Sequence, residues 1–358
     1  SWSTVGTIGI ALLGIGQALG IPVEMVAGSI VSGSYFGDKL SPLSDTTNLA
    51  PAMAETDLFT HVKHMMYTTV PSIVITITIF MFIGLFFDGD LSRSTDIEEL
   101  RRVISSTFHM TPLLFILPIV VYILVKKKVP ALPALTAGCL LAVIFTMLFQ
   151  KDLMLGLGQG DEGFKKSYEI FIKTAFKGFE STTGNKFVDR LFTRGGMGSM
   201  LNTVWLILMA MIFGGMMEVT GMLTSLANGI LRLVNGVTSL VASTIGTAIF
   251  LNITTGDQYI SIVVSARMFK KPFQDYNLAP QNLSRAVEDG ATVTSVLVPW
   301  NTGGAYFSSV LGVATISYLP YSFFNLISPL MSIIIAASGK TMVPLNKGVV
   351  YDNYQKKN

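Results

Sequence analysis

The sequence predicts an all-α polytopic membrane protein made of two inverted repeats, with broken helices and re-entrant hairpins. Charge is the first observation behind this. Only 13% of the 358 residues are charged and 50% are hydrophobic, whereas a soluble domain carries about 25% charged residues. The second is where charge is missing. Residues 290–339 form a run of 50 without one Asp, Glu, Lys or Arg, and 195–217 and 233–256 are uncharged as well. Each is as long as the roughly 20-residue apolar stretch that crosses a bilayer. The third is that polar interruptions marked by Gly and Pro recur at corresponding places in two halves of the chain, which is how discontinuous membrane helices read. Such a composition excludes a soluble enzyme, a nucleic-acid binder and a disordered chain. The net charge of +3 names no acidic partner.

Along the chain, an apolar helix is expected over residues 3–19, and a second over 22–36 that breaks at Gly37. A short piece at 45–54 completes a re-entrant hairpin. Residues 71–87 make a span and 88–102 a charged surface stretch. Two apolar stretches, 110–125 and 130–149, form a hairpin around Lys126, Lys127 and Lys128. Segment 151–194 carries fourteen charges and is therefore extramembrane. Spans resume at 200–217 and 233–253, followed by a broken element at 259–267. The pieces 288–298 and 302–315 are too short to cross. A last span covers 319–337, and a polar tail begins at Lys340.

These boundaries divide the chain into four parts. Residues 1–87 are what remains of a first repeat, 88–109 a charged linker, 110–339 a second repeat with an extramembrane loop at 150–199, and 340–358 the tail. The second half has two spans and the long loop before its first break, and nothing matching precedes Ser1. A first repeat truncated at its N-terminus by roughly three spans, on the order of 100 residues, is the expectation. The start has no basic n-region and is not a signal peptide.

The chemistry-bearing residues sit at the interruptions. In the first half the run is Ser44-Asp45-Thr46-Thr47-Asn48; in the second, Thr254-Thr255-Gly256-Asp257 and, some 47 residues on, Asn301-Thr302-Gly303-Gly304. Hydroxyl, amide and carboxylate oxygens are what a hard cation such as Na+ requires, and breaks of this kind free backbone carbonyls into a protected cavity. Ser44, Asp45, Thr46, Thr47, Asn48, Thr254, Thr255, Asp257, Asn301 and Thr302 are the ion-binding candidates, with Na+ expected at Asp45, Thr46, Asn301 and Thr302. The competing account is plain helix capping.

Ionisable groups inside a membrane mark ion and proton pathways, so Asp45, Asp257, Glu218 and Asp38 are the proton-coupling candidates. A carboxylate that holds either a proton or a cation is a minimal mechanism for antiport. Glu218 also reads as a helix end at the interface, and Asp38 as an ion-pair partner of Lys39 or a hairpin tip. Glu288 and Asp289 are expected to open a helix, where acidic residues suit the dipole. Arg267 and Arg285 are expected to snorkel at the interface. His61 and His64 have the helical spacing of a metal pair but are placed at the interface. Cys139 is a small residue in a membrane helix. No P-loop, GxSxG or HExxH pattern occurs, so nothing points to an ATP-driven pump or an enzyme.

The stretch Gly33-Ser34-Tyr35-Phe36-Gly37-Asp38-Lys39-Leu40-Ser41-Pro42-Leu43-Ser44-Asp45-Thr46-Thr47-Asn48-Leu49-Ala50-Pro51 resembles the signature of the NhaC family of Na+/H+ antiporters, within the ion transporter superfamily. Thr254-Thr255-Gly256-Asp257-Gln258-Tyr259 and Val298-Pro299-Trp300-Asn301-Thr302-Gly303-Gly304 resemble its second-repeat counterparts. The resemblance implies Na+/H+ antiport by elevator-like alternating access, with Na+ and H+ as cargo and no cofactor. It also implies a homodimeric scaffold in a bacterial cell membrane. Its alternative is Na+- and H+-coupled exchange of malate for lactate. A different class of reading is a non-transporting fragment. In the superfamily the hairpin tips are Ser-Asn-Thr-like; Asp45 stands where those have Asn, a departure that suits proton exchange.

Overall fold

The computed structural model describes residues 2, 5–42, 44–86, 102–127, 129, 131–158, 164–184, 189, 192–193, 195–222, 225, 229–230, 232 and 234–345. Among them the chain is helical, with one isolated bridge between Leu278 and Pro344 and no strand. Most of the expected linker (87–101) and tail (346–358) lies outside the described residues.

One compact unit holds residues 1–90 and 202–358. A π-helical turn, Val5–Gly9, leads into α1 (Ile10–Ala18), followed by α2 (Val23–Leu40), α3 (Asp45–Ala54) and α4 (Leu58–Leu85). The expected break at Gly37 is absent: α2 runs to Leu40 and stops where Pro42 cannot continue it. Helix α4 starts thirteen residues before the expected Pro71, because Asp57 caps it by accepting from Thr60 N at 2.9 Å.

The other unit, residues 91–201, contains α5 (Ile116–Lys126), α6 (Ala131–Phe149), α7 (Lys151–Gly158) and α8 (Phe164–Lys177). Cys139 is exposed on α6.

Helix α9 (Met197–Val219) leads back into the first unit, which continues with α10 (Val237–Thr255) and α11 (Gln258–Asp275). Helix α12 (Pro280–Val287) begins on a proline at its first turn. It passes without interruption into a π-helical turn, Glu288–Thr292, and then Val293–Ser295. Glu288 and Asp289 therefore do not open a helix, and the dipole account of them is overturned. Helices α13 (Thr302–Leu311), α14 (Thr315–Tyr318) and α15 (Phe323–Ser338) follow.

Among the described residues, 58–85, 197–217 and 237–255 are long and apolar enough to cross a membrane. The pair 315–321 and 323–338, bent by 58°, would add a fourth as one span. The outward side chains of α9, Trp205, Met209 and Phe213 among them, are apolar and exposed, as a lipid-facing surface requires.

Two apolar cores hold the first unit. One gathers Ala50, Leu240, Ile245, Ala248, Ile262, Ala266, Phe269 and Ala286, joining α3 to α10, α11 and α12. The other gathers Val26, Val31, Tyr35, Val293, Phe307, Tyr318 and Phe324 around α2. Gly290 permits a close approach to α10: a Cβ there would lie 2.9 Å from Ala248 Cβ and 3.0 Å from Ile245 Cα.

The expected interfacial placement of His61, His64 and Arg285 is overturned by their burial. His61 and His64 are buried, with His61 Nδ1 2.8 Å from Ser284 Oγ. Arg285 is fully buried, because the segment after α15 folds back across α12. Ala279 N donates to Val343 O at 2.9 Å, and Arg285 reaches Thr341 Oγ1 at 3.2 Å and Met342 Sδ at 3.3 Å.

Candidate ion-binding site

The first tip lies between α2 and α3. Ser44 Oγ and Thr46 Oγ1 are 3.0 Å apart, and Thr46 Oγ1 donates to Asp38 Oδ2 at 3.4 Å. Thr47 Oγ1 donates to the Asp38 carbonyl at 2.9 Å. Asn48 Nδ2 closes the turn onto Pro42 O at 2.8 Å and Ser44 O at 2.6 Å. Asp38, Ser44, Thr46 and Thr47 are buried, whereas Asp45 and Asn48 are exposed.

The second-half break is set by Gly256, whose φ of 66° ends α10 in a conformation glycine adopts without strain. Asp257 then caps α11, accepting from Tyr259 N at 2.8 Å and Ile260 N at 3.0 Å. Thr254 and Thr255 turn their hydroxyls back to Phe250 O and Leu251 O. The capping account thus holds for Asp257. Asn301 also caps a helix, α13, through Gly303 N at 3.2 Å.

The second tip is sewn to this break. Asn301 Nδ2 donates to Asn252 O at 3.0 Å and Asn252 Oδ1 at 3.2 Å. Thr302 N donates to Gly256 O at 2.8 Å, and Trp300 Nε1 to Ile253 O at 2.6 Å. The Thr302 side chain lies beside Asp257.

Two contacts at this site join residues of the two halves. Tyr259 OH, in the first turn of α11, donates to Asp45 Oδ2 at 2.5 Å across 214 residues of sequence. Deeper in, Tyr35 OH and Ser295 Oγ are 3.0 Å apart, and Ser295 Oγ donates to Gln258 Oε1 at 2.9 Å. The two polar runs singled out by composition therefore meet around the start of α11. The Glu218 side chain lies outside the described residues. Lys39 does not pair with Asp38: it turns the other way, to Asp289, and donates to Ser328 Oγ at 2.7 Å.

Sequence reasoning missed Tyr35, Gln258, Tyr259 and Ser295 as site residues. Only for Tyr259 was there a local signal, a phenol two residues beyond a capping Asp, on the turn that faces the first tip. Among the described residues no cluster of three His, Cys, Asp or Glu could hold a metal ion. The donors gathered here are hydroxyls, amides and single carboxylates, which suit a monovalent hard cation.

A family described as the Na+/H+ antiporter family matches residues 33–340. The Na+/H+ antiporter NhaC of Bacillus subtilis is 36% identical over 335 residues, 94% of this chain and 71% of the relative. NhaC of Alkalihalophilus pseudofirmus is 38% identical over 339 residues, 95% of this chain and 70% of the relative. A malate-2H+/Na+-lactate antiporter of Bacillus subtilis is 34% identical over 340 residues, 95% of this chain and 70% of the relative. No solved structure matches.

Proposed function

The chain belongs to the Na+/H+ antiporter family, and from that premise we propose that it exchanges Na+ for H+ at the junction of its two polar tips. The observation that carries this reading is the Tyr259–Asp45 hydrogen bond at 2.5 Å, which ties the first tip to the helix capped by Asp257. Sodium entering the junction gives up water for the hydroxyls of Ser44 and Thr46, with Asp45, Asn301 and Thr302 completing its oxygen shell. Asp45, Asp38 and Asp257 supply the negative charge that either sodium or a proton satisfies, so one displaces the other.

The wider architecture of the reading is two inverted repeats, 1–87 and 110–339, linked by 88–109, with an extramembrane loop at 150–199 and a tail at 340–358. The helix ends at Leu40 and Thr255 and the 58° bend between 315–321 and 323–338 support broken elements in both. The transport cycle is alternating access of a mobile part against a homodimeric scaffold in the plasma membrane.

Malate–lactate exchange is the second reading, favoured by the 34% identity to the malate-2H+/Na+-lactate antiporter. Proteoliposomes holding the full-length chain and a luminal pH dye separate the two. An imposed Na+ gradient should drive proton movement with no organic anion present. Movement only when malate and lactate are supplied would favour the second reading, and none under either condition would overturn both.

A further inference from the structure

Next to the first tip lies a second polar cluster that shares only Asp38 with the sodium site. Glu288 is completely buried, and neither of its carboxylate oxygens has a hydrogen-bond partner. Thr292, one turn on in the same π-helical turn, lies beside it with an unpartnered hydroxyl of its own. Turns of this kind inside helices are frequent at functional sites. An unpaired carboxylate in a protein interior is costly enough that the group neutralises instead. Glu288 can do so by taking a proton or a cation.

The surrounding charges decide how many. Asp38 and Lys39 of α2 and the neighbouring Asp289 act on Glu288 through their charge. Lys39 is held by Asp289, Thr68 and Ser328. Arg285, one turn back on α12, faces Asp289. From α4, His61 faces Lys39 and Asp289, and His64 faces Arg285, while Lys63 is exposed. Asp45 of α3 faces Asp38. Helices α10 and α15 carry no charged residue. On α11, Arg267, Lys271 and Asp275 are exposed, and Lys270 pairs with Glu55 at 2.6 Å. Around Glu288 the buried charged set is thus three carboxyls, Asp38, Glu288 and Asp289, against two cations, Lys39 and Arg285, with Asp257 buried apart at the second-half break. One negative charge is left over, and it requires one proton or one monovalent cation.

We propose that Glu288 is a proton-holding site of the exchange, loaded when the tips are empty and emptied when sodium enters them. The proposal rests on the Na+/H+ reading above. When Na+ settles beside Asp38 at the first tip, the local charge is balanced without the proton. The O–H bond of the Glu288 carboxyl breaks and the proton leaves to water. The carboxylate stays behind, compensated by sodium through Asp38.

The test uses the purified full-length chain in detergent and weak buffer. NaCl is titrated against a choline chloride control, with a pH-indicator dye to count protons and calorimetry to follow sodium binding. Wild type should release protons as it binds Na+. Glu288→Gln should still bind Na+ but release about one proton fewer per bound ion, because the one uncompensated buried charge is gone. Equal release by the variant and wild type overturns the Glu288 assignment and leaves the antiport reading standing. A wild type that binds Na+ and releases no proton overturns both. Should Glu288→Gln fail to fold, Glu288→Asp serves. A displaced midpoint in the pH dependence of proton release supports the assignment, and an unchanged midpoint overturns it.

Discussion

Two carboxylates divide the oxygens of the first tip between them. Asp38 is buried and receives the Thr46 hydroxyl, whereas Asp45 is exposed and receives the Tyr259 phenol. A hydrogen bond to a charged group contributes about 1.5–3 kcal/mol, and an exposed one sits at the low end, so Tyr259→Phe should raise the apparent KM for Na+ by about tenfold. Protein yield should stay the same. Sodium-dependent transport at fixed pH measures this, and an unchanged KM would show that the phenol does not position Asp45. The polar runs at 44–48 and 301–302 were legible in the sequence because oxygen-rich residues in uncharged segments stand out without any knowledge of the fold. Lys39, Asp289 and Glu288 were not. Lys39 and Asp289 are 250 residues apart, and each has a bland local reading that only tertiary packing overturns. The same holds for Arg285 and the two histidines, whose burial depends on segments folding over them from elsewhere in the chain.

At the scale of elements, punctuation by Gly and Pro located the interruptions, but not always to the residue. Gly256 ends α10 as expected, since its positive φ is the conformation that glycine favours. Gly37 does not end α2, because a single glycine only weakens a helix, whereas Pro42 obliges it to stop. The π-helical turn at Glu288–Thr292 had no sequence signal: Glu-Asp-Gly-Ala-Thr reads equally well as the opening of a helix. In the charged segment, Asp189 organises a turn by accepting from Thr183 N at 2.6 Å, Thr183 Oγ1 at 2.8 Å, Ser181 Oγ at 3.0 Å and Gly184 N at 3.2 Å. The Thr183 and Gly184 amides and the two hydroxyls hold its carboxyl below the usual carboxylate range. Its folded value lies under its unfolded one, so its stabilisation is complete above the ordinary range and is lost as pH falls through the folded value. Hydrogen-exchange protection of the Thr183 and Gly184 amides should therefore be high at neutral pH and decline in acid, with Asp189→Asn poorly protected throughout. Protection independent of pH would contradict this role.

For the whole molecule, the distribution of polarity is the reverse of a soluble protein's. Trp205, Phe213, Met81 and Leu85 are exposed, while Lys39, Arg285, Glu288, Asp289, Asn252 and Asn301 are buried. A chain whose solvent is lipid tolerates this only where polar atoms find one another or hold a ligand. The scarcity of charge in the sequence pointed to helices apolar enough to cross a membrane, and the polar runs that interrupt them come into contact around the start of α11. What composition could not supply was the contact itself, a tyrosine on α11 reaching a carboxylate on α3. This junction is the proposed place of exchange between Na+ and H+. Sodium-driven proton movement in everted vesicles tests it most directly, comparing the full-length wild type with Asp45→Asn at equal membrane insertion. The expected result is robust dequenching of a pH-sensitive dye by wild type and none by Asp45→Asn. Dequenching by the variant equal to that of wild type would contradict the claim.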